Sequence, residues 1–251
     1  AFQVAGEPVM DRSELFYDGN SQGAIAGGAL AAIAQDYARA VLGVPGMNYS
    51  TLLDRSIDFE AFNNLFVITY QNNLDRQLLL SVAQMLWDQT EISGHATHLT
   101  SDTYPDTPAK KILFQMAFAD FQTANVSVEV GARSMGARLR TPAVGPEKEL
   151  PDVVPYYGIE PIESYPYDGS ALVVWDSGNR ASPIGNVAPP RLSAADPEWD
   201  ELSACPRNYQ GDPHECPRRQ PAARLQKSEF LRSSGAVVDT CGAGPCLAPN
   251  P

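Results

Sequence analysis

The feature that most restricts the fold of this chain is a three-part run near its start. Residues 14–17, Glu-Leu-Phe-Tyr, read as a short buried strand. A tight turn follows, Asp18-Gly19-Asn20-Ser21-Gln22-Gly23, and then Ala24 to Ala40, a helix made mostly of small residues. Gly27 and Gly28 lie inside that helix, where each costs roughly 1 kcal/mol relative to Ala. Such a sequence makes sense where a helix lies very close against a sheet. Residues 38–44 read as the next strand, ended by Pro45-Gly46. Strand, turn, helix and strand in this order predict a parallel sheet with crossover helices.

The later elements fit the same plan. Residues 50–90 read as helical, with Leu78, Leu79, Val82, Leu86 and Trp87 at helical spacing. They form either a cap over a site or an ordinary covering helix. Residues 91–109 read as a polar loop, Lys110 to Phe118 as a buried strand, 123–138 as a helix and Ser170 to Trp175 as a further strand. A last helix is expected over Pro221 to Ser233. The domain is expected to span 1–235, with the cap-like region at about 47–100 and Pro-rich insertions at 141–169 and 177–210. Residues 236–251 form a disulfide-bonded tail.

Composition narrows the function classes. The 251 residues are 43% hydrophobic, enough for a packed core, and carry a net charge of −12. That charge repels phosphate backbones, so no nucleic-acid partner is expected. No stretch approaches the roughly 18–20 apolar residues of a transmembrane helix. The four cysteines, Cys205, Cys216, Cys241 and Cys246, all lie near the C-terminus. They predict two disulfides and a secreted, periplasmic or cell-surface location. Short loops favour Cys205–Cys216 and Cys241–Cys246, although the other two connectivities stay open.

Gly19-Asn20-Ser21-Gln22-Gly23 matches G-x-S-x-G, in which a serine sits at the apex of a strained strand-to-helix bend. The flanking glycines are expected to remove Cβ atoms that would collide with the neighbouring strand and helix. The helix N-terminus offers free N–H groups to a developing oxyanion, the Gln22 backbone N–H among them. The alternative is a glycine turn with an incidental serine. In its context, YDGNSQG followed by AIAGGALAAIA resembles the nucleophile elbow of the α/β-hydrolases, and the resemblance covers about Glu14 to Leu231. It implies a mostly parallel sheet with flanking helices, and a nucleophile, an acid and a histidine in that chain order.

On that order Ser21 is the nucleophile, Asp120 the acid and His214 the base. Asp120 follows the strand ILFQMAFA and precedes a helix, with Asp176, which also ends a strand, as its rival. His214 lies in Gly211-Asp212-Pro213-His214-Glu215-Cys216, just before the final helix, in a loop that a Cys205–Cys216 bridge would stiffen. The implied activity is a serine hydrolase cleaving small-molecule or lipid esters of carboxylic acids, with no cofactor and no metal. His95 and His98, with Asp102 or Asp106, are the residues a metal-dependent alternative would use. Asn48-Tyr49-Ser50 and Asn125-Val126-Ser127 match glycosylation sequons, relevant only to a eukaryotic source.

The family normally has several strands before the elbow, and one of them supplies the second oxyanion donor. Only 13 residues precede Glu14. An N-terminal segment or second chain is therefore expected to complete the sheet, and the 251 residues alone are expected to be poorly active and aggregation-prone. A non-catalytic structural or binding protein that keeps the hydrolase fold within a larger assembly is the alternative.

Overall fold

A computed structural model describes residues 3–9, 14–151, 153–193, 195 and 211–248. A small antiparallel hairpin, β1 (Gln3–Val4) with β2 (Glu7–Pro8), precedes the main body. The main elements then run β3 (Tyr17–Asn20), α1 (Gln22–Ile33), β4 (Arg39–Gly43), α2 (Tyr49–Leu52), α3 (Glu60–Thr69), α4 (Asn73–Trp87) and α5 (Ala96–Thr100). They continue with β5 (Lys111–Ala117), α6 (Asn125–Ser134), β6 (Arg138–Leu139), β7 (Ala171–Asp176), α7 (Pro221–Phe230) and β8 (Cys246–Leu247).

The sheet is parallel throughout, in the order β3-β4-β5-β7-β6, and β8 pairs with the far end of β7. Both faces are buried, which is why β4, β5 and β7 are continuous apolar runs rather than alternating ones. Alternate residues serve opposite cores. Leu42, Ile112, Phe114, Met116, Leu172 and Val174 pack with Ala24, Ala31 and Ala32 of α1 and with Val128 and Ala132 of α6. Val41, Leu113, Val173 and Trp175 pack on the other side with Ala223 and Phe230 of α7.

The small-residue character of α1 is a steric requirement. A Cβ on Gly27 would strike the Tyr17 ring, and one on Gly28 would strike Ile92. Several elements differ from the sequence reading. The first strand is Tyr17–Asn20 rather than 14–17, because the ladder begins where Tyr17 meets Ala40 on β4. Leu15 is left exposed instead. Helix α1 stops at Ile33, not Ala40, its end closed by the Ala34 N–H on the Leu30 and Ala31 carbonyls, with no Gly or Pro to announce it. The loop expected at 91–109 contains the short helix α5, and β6 follows α6 where helix was expected.

Helix α4 has the expected spacing, but its apolar face does not point inward. Leu80 and Gln84 are its buried residues, while Leu74, Leu78, Met85 and Leu86 are exposed, as are Phe62, Leu65 and Ile68 on α3. Polar anchoring explains this orientation. The Gln84 side chain accepts from Ser50 N at 2.9 Å and donates to the Asp88 carboxylate at 2.6 Å and to the fully buried Glu91. Cys241 and Cys246 are disulfide-bonded, and the bridge ends at β8, which joins the tail to the sheet. Cys216 is buried, and its expected partner Cys205 lies outside the described residues. Among the described residues no helix is long and apolar enough to cross a membrane.

Candidate functional site

Ser21 occupies the single residue between β3 and α1, with φ 56° and ψ −126°. This is backbone space in which a side chain is strained, at a cost of about 1–3 kcal/mol, and it persists only where neighbours over-determine it. Three hydrogen bonds do so here. Ser21 N donates to the Gly43 carbonyl at 2.8 Å, and the Ser21 carbonyl accepts from Ala24 N at 2.8 Å and Ile25 N at 3.0 Å. Gly19 is needed sterically, since a Cβ there would lie 2.6 Å from the Tyr17 ring and also collide with the Gly23 carbonyl. Gly23 is not so constrained: a Cβ at that position meets nothing, because β3 is the edge strand and no neighbour lies beyond it among the described residues. Gln22 and Gly23 open α1, so helix geometry leaves their N–H groups without intrahelical acceptors.

Asp120 lies in the turn after β5. Asn125 shapes that turn, its side chain donating to the Ala117 carbonyl and accepting from Ala119 N, both at 2.7 Å. This holds Ala119 at φ 59°. The buried Asp120 carboxylate accepts from Gln122 N at 2.8 Å, Thr123 N at 2.9 Å and the Thr123 hydroxyl at 2.8 Å. His214 reaches the same carboxylate, with Nδ1 2.8 Å from Oδ2 and 3.0 Å from Oδ1. The imidazole is 2% exposed, and its Nε2 has no hydrogen-bond partner among the described residues. A carboxylate only accepts, so Nδ1 carries the proton and a neutral ring presents Nε2 as a bare acceptor.

Thus Asp120 and His214 are brought together, 94 residues apart in sequence. Ser21 stands at the same, C-terminal edge of the sheet, at the end of a strand separated from β5 by β4 alone. It makes no hydrogen bond with His214 Nε2. The rival acid is engaged elsewhere: Asp176 receives Lys148 Nζ at 2.9 Å and Gly178 N at 2.8 Å. His95 Nδ1 lies 3.0 Å from the Tyr104 hydroxyl, and His98 stacks on the same ring and pairs with Asp102. Among the described residues no three His, Cys, Asp or Glu side chains converge as a metal site. The two sequon asparagines are structural, Asn48 accepting from Thr51 N and Asn125 holding the acid turn.

Asp212 is a site residue that the sequence reading quoted but left without a role. One carboxylate oxygen accepts from His214 N at 3.1 Å and Phe121 N at 3.3 Å, and the other from Gln122 Nε2 at 2.7 Å. It therefore ties the histidine loop to the acid turn. Its signal in the sequence was an Asp two residues before the histidine, the spacing of an Asx turn. Ile57 N also bonds the Phe121 carbonyl at 2.9 Å, which brings the neighbouring Asp58 within electrostatic range of His214 and Asp120.

Burial disfavours the His214 imidazolium, but the Asp120 charge and hydrogen bond, helped by Asp212 and Glu215, outweigh it and lift the pKa to about 9. Burial and the Asp120 charge raise Asp212 to about 6, so it is ionised above neutrality. A histidine raised in the folded state stabilises the fold in full below its unfolded value of about 6.5, and that contribution is lost as pH rises through about 9. Asp212→Asn removes one of the charges that raise His214. Imidazole NMR titration is expected to give a midpoint near 9 in the wild type and about one pH unit lower in Asp212→Asn. An unchanged midpoint would show that the Asp212 charge is not felt at the ring.

A cavity of about 360 Å³ opens beside Asp120, walled by Phe118, Val126, Val144, Val153 and Tyr156. Neither Ser21 nor His214 lines it. Comparison of the chain with protein-family models, with curated proteins and with solved structures finds no match.

Proposed function

We propose that the chain is a serine hydrolase of the α/β-hydrolase type that cleaves carboxylic esters. The backbone of Ser21 carries this reading. A non-glycine residue is held in strained space by three hydrogen bonds at the junction of a buried strand and a helix N-terminus, a backbone position that glycine would occupy without that strain. The His214–Asp120 pair supports it, because Nε2, which has no partner among the described residues, is the atom a general base uses.

In the proposed mechanism Nε2 takes the Ser21 hydroxyl proton as Oγ attacks the ester carbonyl. Asp120 holds the tautomer and stabilises the imidazolium. The Gln22 N–H donates to the oxyanion. The imidazolium then protonates the leaving alcohol, and water activated by the same ring hydrolyses the acyl-enzyme. A base with a pKa near 9 makes the rate rise between neutral and mildly alkaline pH. We extend the proposal to the open side of β3, where a further strand, from an N-terminal segment or a second chain, would pair and supply the second oxyanion donor. The edge of β3, which has no partner strand among the described residues, and the open space at Gly23 support that placement.

A second reading, a non-catalytic protein that keeps this architecture, is favoured by one observation: Ser21 and His214 are not hydrogen-bonded to each other. A fluorophosphonate probe separates the two. The hydrolase reading expects labelling that maps to Ser21 by mass spectrometry and disappears in His214→Ala. Absence of labelling at pH 9, in a protein shown to be folded, would support the second reading.

A further inference from the structure

Beside the candidate nucleophile lies a polar cleft of about 590 Å³, lined by Asp18, Asn20, Arg218, Arg219, Arg224 and Lys227. The strand and the helical segments build it together. Asp18 and Asn20 alternate along β3, so both side chains leave the face of the sheet opposite Tyr17, the face that α7 covers. Arg224 and Lys227 are three apart on α7 and share one side of it. Arg218 and Arg219 come from the short turn just before α7.

The charges in this cleft are not balanced. Lys227 Nζ pairs with Asp18 at 2.8 Å, and Arg218 and Arg219 share the one carboxylate of Glu215. Arg224 is exposed and has no side-chain partner among the described residues. Four cations thus face two carboxylates, in a chain whose net charge is −12. Asn20 closes the floor of the cleft, its Nδ2 buried beneath the surface. Such a chain repels anions at long range. Concentrating four of its 18 basic residues in one concave place reverses that locally. The guanidinium forks match the oxygens of a carboxylate or phosphate group. The volume suits a small anionic group, and there is no stacking aromatic in the lining for a nucleic-acid base.

Two of the lining residues are near neighbours in the chain of the proposed machinery: Asn20 immediately precedes Ser21, and Arg218 follows His214 by four residues. We infer that this cleft binds a carboxylate- or phosphate-type anion and, resting on the hydrolase reading, that the preferred ester carries such a group.

The test titrates the intact chain with inorganic phosphate in low-salt buffer by calorimetry and amide NMR. Saturable binding is expected, with shifts at Asn20, Arg224 and Lys227. The Arg218→Gln/Arg224→Gln double variant is expected to weaken it about tenfold, and 0.5 M NaCl to suppress it. Lys227→Gln, which removes the other cation that α7 contributes, provides a second variant should the double one fold poorly. Ser21→Ala is expected to bind phosphate as the wild type does, so the result does not depend on catalysis. Alongside, the kcat/KM ratio for 4-nitrophenyl hydrogen succinate over 4-nitrophenyl butyrate is expected to fall about tenfold in the double variant.

Absence of saturation, or equal binding in wild type and variants, would overturn the anion site. Weakened phosphate binding with an unmoved ester ratio would overturn the substrate assignment alone. If neither ester is hydrolysed, the hydrolase reading fails and the phosphate titration still decides the cleft.

Discussion

Ser21→Ala is expected to lower the ester-hydrolysis rate by about 10⁶-fold, the loss that follows removal of a nucleophile acting as one unit with its base. The companion variant Ser21→Gly is expected to be just as inactive, yet more stable. At φ 56° and ψ −126° a side chain costs about 1–3 kcal/mol, which glycine escapes. Glycine gives back about 0.5–1 kcal/mol through the greater freedom of its unfolded chain. The net gain of about 1 kcal/mol corresponds to a rise in Tm of about 2–4 °C for a domain of this size. Such a gain would accord with the proposed nucleophilic role, for which a side chain is needed at this position. Thermal denaturation of Ser21→Gly beside the wild type measures this, and a fall in Tm would show that the Ser21 backbone is not strained.

Asp120→Asn is expected to lower kcat/KM by about 10⁴-fold while the fold stays intact. The local hydrogen bonds explain why the loss is electronic rather than structural. Oδ1 accepts from two backbone N–H groups, of Gln122 and Thr123, and only an oxygen can stay there. In Asp120→Asn the amide nitrogen must therefore take the Oδ2 position, 2.8 Å from His214 Nδ1. Two donors cannot face each other, so Nδ1 becomes the acceptor and the proton moves to Nε2, the atom that receives the serine proton in the proposed mechanism. The imidazole NMR spectrum reports that tautomer directly. A wild-type tautomer with full activity would remove Asp120 from the mechanism.

What was legible in the sequence is local chemistry. The alternation of apolar runs with helical segments fixed the class, a parallel sheet with flanking helices, because a crossover connection leaves few other arrangements. Ser21 was legible because the bend it occupies demands glycine at 19 and small residues through α1, and steric demands of that kind are written in composition. Asp120 and Asp176 looked alike as strand-end carboxylates. Only the structure separates them, Lys148 holding one and His214 reaching the other.

Periodicity identified α4 but not the direction it faces, since Gln84 and Glu91 anchor it through bonds between residues seven apart and on different elements. The start of β3 is not written locally for a similar reason: it is set by where β4 offers a ladder, not by any signal in the chain. The role of Asp212 was hidden because its partners Phe121 and Gln122 lie about 90 residues away along the chain.

The anion cleft belongs wholly to the tertiary structure. Asp18 and Lys227 are 209 positions apart, and no reading of either neighbourhood places them 2.8 Å from each other. The sequence by itself determined the type of sheet and the strained serine, because both follow from sterics within a few residues. Packing alone decided which carboxylate meets the histidine and where the positive charge gathers, because charge acts through space between segments that only the folded sheet brings together.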